Sequence, residues 1–222
     1  MSRADGAWVR HVLSQGRPTI HPMDDIKHQL RKRRILRSRV GGGLVVPASP
    51  LIRLWLLRLL VPLGGHRRFI RDHGFGDDEV SEIVGLGHWI APVDREFKDM
   101  AVLAELRSLH AKAEAWKRPR RAPANLARNV KRLAALVGLT QAEMRVLEFA
   151  VLLHNERVID DTADFVGPFS TTRMGHALAV VLGLPQEEIR EALSSRGALA
   201  RSGLVTLDRT GINGLRGKIE LL

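Results

Sequence analysis

Apolar residues fill nearly every position from Leu51 to Leu60, broken only by Arg53 and Arg58, with Pro50 ahead and Gly64-Gly65 behind. Proline is favoured in the first turn of a helix and glycine just past its end, so this pattern predicts a helix over Leu51–Leu60. A short helix is expected at His66–Asp72, and Asp77-Asp78-Glu79 reads as the acidic first turn of another. A longer helix is expected from near Asp94, because Val102, Leu106, Leu109, Ala113 and Trp116 recur at helical spacing. It is stopped by Lys117-Arg118-Pro119-Arg120-Arg121-Ala122-Pro123, two prolines among four cations, which reads as a linker.

The second half has the clearer periodicity. Leu126, Val130, Leu133 and Val137 form one helical face that Gly138 ends. Thr140-Gln-Ala-Glu143 has capping-box spacing, in which hydroxyl and carboxylate each satisfy an amide of the first turn. The helix behind it, to about His154, is apolar nearly all round and is expected to be the central buried helix. Met174, Leu178 and Val181 stripe a third helix, and Pro185 opens a fourth with Glu187 and Glu188 in its first turn. Leu204–Leu207 and Leu215–Leu222 then read as two short strands around a turn. The expectation is a mainly α protein: a tail at 1–24, a basic helical region at 25–116, a linker at 117–123, and a winged-helix-like domain with a C-terminal β-hairpin at 124–222.

Composition supports helix packing, since aromatics are 5% and tyrosine is absent. Without cysteine there are no disulfides and no Cys-ligated zinc, and a cytoplasmic location is expected. The first residues carry no apolar core of a signal peptide, and the apolar run at 51–63 is too short and too charged for a transmembrane span. The net charge of +11 is lopsided: residues 1–122 hold 23 Lys/Arg against 13 Asp/Glu, and residues 123–222 hold 12 against 11. Lys27, Arg31, Lys32, Arg33, Arg34, Arg37 and Arg39 cluster in a helix-compatible segment, and Lys117, Arg118, Arg120 and Arg121 form a second cluster. These eleven are the candidate polyanion contacts, for weak and sequence-independent nucleic-acid binding.

Catalytic signatures are missing from the chain. Gly41-Gly42-Gly43 is followed by no Lys-Ser/Thr, and Gly85-Leu86-Gly87 has no third glycine, so both read as turns rather than phosphate loops. Asp160-Asp161-Thr-Ala-Asp164 matches a string that chelates Mg²⁺-diphosphate in isoprenoid enzymes, but it occurs once and reads as surface acids in a short connection before Gly167-Pro168. No His-Glu-x-x-His or Gly-x-Ser-x-Gly is present, and His73 among Asp72, Asp77 and Asp78 reads as a turn beside a capped helix. The chain is therefore expected to have no catalytic, cofactor or metal residues of its own.

Three stretches resemble a region ahead of the ATPase module in bacterial AAA+ family ATPases: LARNVKRLAALVGLTQAEMRVLEFAVLL, HALAVVLGLPQEEIREAL and GALARSGLVTLDRTGINGLRGKIELL. Ala200-Arg-Ser-Gly-Leu204, Leu207-Asp208 and Lys218-Ile-Glu-Leu-Leu222 carry the ending of that pattern. LRLLVPLGGHRRFIRDHGFGDDEV extends the likeness back to about residue 50. The resemblance implies a non-catalytic region that recruits a protein partner or substrate for an AAA+ motor, with ATP and Mg²⁺ bound by the motor. The alternative is a stand-alone winged-helix nucleic-acid-binding protein; the net-acidic helix after Pro185 suits a phosphate-lined groove poorly.

Overall fold

Helix α1, Pro50–Leu60, is the axis of the fold. Ser49 caps it by accepting from the amide of Ile52, and Pro50 lies in its first turn. Eight of its eleven residues are buried, so it needs apolar partners on every side. The computed structural model describes residues 49–71, 74–90 and 97–221. The basic segment with Lys27–Arg39, the turn at Gly41–Gly43 and His73 lie outside the described residues.

Around α1 come α2 (His66–Phe69), a hairpin of β1 (Ile70–Arg71) and β2 (Gly74–Phe75), α3 (Asp78–Val84), a 3₁₀ turn at Gly87–Trp89 and α4 (Asp99–Glu114). Then follow α5 (Ala124–Val137), α6 (Gln141–Asn155), α7 (Arg157–Val166), α8 (Thr171–Leu182), α9 (Gln186–Ala192) and α10 (Ala198–Arg201). The chain ends in β3 (Val205–Leu207), α11 (Leu215–Lys218) and β4 (Ile219–Leu221). β3 and β4 pair antiparallel, with Val205 opposite Leu221 and Leu207 opposite Ile219. The architecture is mainly α with a C-terminal hairpin, as the periodicity predicts.

The linker at 117–123 does not separate two cores. α1 packs on α3 and α4 before it and on α7 and α8 after it, and all belong to one compact unit, Pro47–Leu222. Trp55, fully buried on α1, meets Phe149 of α6 edge-on at 5.1 Å. Arg58 crosses the same divide: its guanidinium donates to both oxygens of Glu114 at 2.7 and 2.9 Å and to the carbonyl of Val181 at 2.8 Å. A cation–carboxylate fork of this kind fixes direction as well as distance, and Arg58 holds the Glu114 carboxyl below the usual carboxylate range. The central position expected for α6 is thus shared with α1.

Other departures have local causes. The helix expected to reach Asp72 stops at Phe69, and the chain turns back so that Phe69 stacks on Phe75 at 5.1 Å. Gly76 allows this turn, because a Cβ there would lie 2.7 Å from the Phe165 ring. The segment with Asp160, Asp161 and Asp164 is not a connection but helix α7, whose Val158, Ile159, Thr162, Ala163 and Val166 are buried at helical spacing. The expected strand Leu215–Leu222 begins instead as a helical turn, which lets Leu215 and Lys218 both point inward before Ile219 joins the hairpin. The periodic stripe on α4 ends at Glu114, leaving Trp116 56% exposed.

Candidate functional site

Two buried polar side chains organise the C-terminal part. Thr140 and Glu143 form the expected capping box: the Thr140 hydroxyl accepts from the Glu143 amide, and the Glu143 carboxylate accepts from the Thr140 amide at 2.8 Å. The second oxygen of Glu143 accepts from the amide of Leu199 at 3.1 Å. One carboxylate thus joins the starts of α6 and α10, where helix amides lack intrahelical partners. Lys218 is fully buried, and its ammonium donates to the carbonyls of Asp208, Thr210 and Gly211 at 2.9, 2.7 and 3.0 Å. It also lies 3.3 Å from the Asp208 carboxylate. All three donors of the ammonium are used, and the loop 208–211 wraps around it.

These anchors shape a surface on either side of α10. One side holds a depression of about 450 Å³ between the start of α6 and α9, with Gln141, Glu188, Glu191, Arg196 and Arg201 in its wall. The other side holds a smaller one of about 190 Å³, lined by Leu193, Leu199, Ala200, Val205, Leu207 and Arg209 among others. The first is charged with both signs and the second is largely apolar. Ala200, Arg201 and Leu207, which carry the sequence resemblance, lie in these walls.

Of the candidate polyanion contacts, the described ones do not act alike. Lys117, Arg118 and Arg121 are exposed, whereas Arg120 is half-buried and donates to the carbonyl of Ala113, closing the end of α4. The cluster continues into α5 with three cations that apolar periodicity does not mark: Arg128, Lys131 and Arg132, all exposed. None of the three pairs with a carboxylate among the described residues. The signal was available, since residues 115–139 hold seven Lys/Arg and no Asp or Glu, while residues 140–222 hold nine against eleven.

Asp160 and Asp161 are each tied to a cation, Arg216 at 3.6 Å and Arg157 at 3.4 Å. Arg157 also reaches Glu79 at 3.2 Å. Burial pushes the carboxyls of Asp161 and Asp164 up, with the neighbouring acids adding to it. Among the described residues no group of three or more His, Asp or Glu side chains is placed to hold a metal ion. Gly85, at φ +100°, is the left-handed C-cap of α3, so Gly85-Leu86-Gly87 serves as a helix stop. Among the described residues no helix is long and apolar enough to cross a membrane. No model of a protein family, no curated protein and no solved structure matches the chain.

Proposed function

We propose that this chain is a non-catalytic recruitment region that docks a protein partner or substrate for a bacterial AAA+ motor. ATP and Mg²⁺ belong to the motor's own module. The observation that supports this reading is the position of the resembling residues. Ala200, Arg201 and Leu207 line the paired depressions beside α10; Ala200 and Arg201 are exposed, and Leu207 packs partly against the core. An apolar hollow beside a mixed-charge one suits a protein segment, which brings an apolar anchor and a polar rim together. The winged-helix regulator is the weaker reading. α9, in the recognition-helix position, has only seven residues and exposes Glu187, Glu188 and Glu191, which repel phosphate.

The test begins with the encoding DNA. The reading frame beyond Leu222, and the frames beside it, are searched for a Gly-x-x-x-x-Gly-Lys-Ser/Thr loop. The module found is then titrated with this chain by calorimetry. Binding that Arg201→Glu and Ala200→Trp weaken at least tenfold is expected. No such module in any of these frames, or binding indifferent to both substitutions, overturns the reading.

A further inference from the structure

Among the described residues, helix α5 presents an unpartnered face of cations and amides, with one exposed apolar side chain, Leu136, at its far end. Asn125, Arg128, Asn129, Arg132 and Leu136 fall on one side of it, opposite the buried Val130, because positions three, four and seven apart share a helix face. Lys131 flanks that side, and all six are exposed. Lys117, Arg118 and Arg121 lie just upstream, also exposed. No carboxylate interrupts the run from residue 115 to 139, so nothing in it neutralises these charges from within.

We propose that this face binds the phosphodiester backbone of duplex nucleic acid, without reading its sequence. The cations supply charge, and the two interleaved amides supply hydrogen-bond donors to phosphate oxygens. The dimensions agree. Asn125 to Arg132 covers about 10 Å along a helix axis, and one strand of a duplex presents a phosphate every 3.4 Å or so of its axis, about three over that distance. An acidic protein surface is the less suitable occupant. Protein interfaces concentrate aromatic anchors and exclude lysine from their centre, while α5 carries no aromatic residue and places Lys131 beside the face. The inference is independent of the AAA+ reading, since it needs only the exposed charge of α5 and the segment before it.

The test uses the whole chain and a fluorescent DNA duplex of about 20 base pairs, followed by anisotropy across a salt series. Binding should fall steeply with salt, and replacing Arg128, Lys131 and Arg132 by Gln should lower the slope of log K against log salt by about 2.7, three released counterions. At low salt the triple variant should lose affinity at least tenfold. Arg128→Lys with Arg132→Lys should keep the slope, because a phosphate contact of this kind needs the charge and not the guanidinium. Arg190→Gln with Arg196→Gln, on and just after α9, should change nothing. Unfolding midpoints of the variants should match that of the parent, since the replaced side chains are exposed and pair with no described carboxylate. The inference is overturned if the triple variant binds duplex like the parent. It is also overturned if poly-glutamate, and not DNA, is bound in a manner that depends on these three residues, because the occupant is then an acidic protein surface.

Discussion

Replacing Lys218 by Met tests whether the C-terminal loop is held by a buried ammonium. Met keeps most of the stem and removes the charge with its three donors. In the folded protein those donors meet three carbonyls at 2.7 to 3.0 Å, and the side chain has no solvent exposure. A hydrogen bond to a charged group contributes about 1.5–3 kcal/mol net, which taken three times overstates the loss. Thr210 and Gly211 are exposed, so water can reach their freed carbonyls. The expected cost is that of one or two such bonds, about 1.5–5 kcal/mol. For a chain of this size it lowers the melting midpoint by roughly 3–20 °C. The assay is thermal and urea unfolding followed by far-UV circular dichroism, with hydrogen exchange reporting the amides of 208–214. Asp208 serves as a separate arm. Its carboxyl is held below the ordinary carboxylate range, first by the Thr210 hydroxyl, then by the Thr210 amide, and further by Lys218. That contribution is present at neutral pH and is lost as pH falls through the depressed value. Asp208→Asn should therefore flatten acid destabilisation while leaving the carbonyl cradle intact. Lys218→Met unfolding within about 1 kcal/mol of the parent would refute the cradle, since one ordinary neutral hydrogen bond contributes that much.

Two further perturbations probe the frame. Thr140→Ala removes one partner of the capping box and should cost about 0.5–2 kcal/mol, while Leu147→Ala, on the buried side of α6 at 3% exposure, should cost about 2–5 kcal/mol; equal costs in urea unfolding would show that the core is misplaced. Burial pushes the Glu148 carboxyl up, against the pull of Arg145, so the folded state takes up a proton more readily than the unfolded one. The resulting penalty is absent in acid, below the unfolded value, and present at neutral pH. Glu148→Gln should raise the melting midpoint at about pH 7 and have no such effect near pH 3, where a carboxyl is protonated in both states; an equal gain at both values would contradict it.

Periodicity reveals the helices whose buried face is a clear stripe, such as Met174, Leu178 and Val181, and misses α7, whose three aspartates read as a surface connection. Caps were equally legible where the chemistry is local, as at Thr140 and Glu143. What periodicity could not reveal is which helices share a core. The pairing of Trp55 with Phe149 depends on residues far apart in the chain, and a proline- and arginine-rich connection between them looks the same whether it joins two domains or two helices. The turn after Phe69 was hidden for a similar reason: Gly76 is required by the Phe165 ring, which arrives from α7. On the surface, apolar periodicity carries no trace of Arg128, Lys131 and Arg132, whereas the absence of carboxylates over 115–139 exposes them at once.

The resembling residues divide by what they touch, and the division bears on what a likeness of this kind can mean. Glu143 is spent on two amides that begin different helices. Lys218 is spent on three carbonyls of one loop. Any chain with this helix order and this loop has orphan backbone groups at those places and needs partners for them. Their presence is therefore explained by the fold, and carries no message about a partner. Ala200 and Arg201 are different: both are exposed, and among the described residues neither side chain makes an ion pair. An exposed alanine and arginine between two hollows contribute little to folding, because surface substitutions away from caps and cores usually change stability by no more than about 0.5 kcal/mol. The recruitment reading thus rests on the exposed part of the motif, and Arg201→Glu tests it without disturbing the buried part.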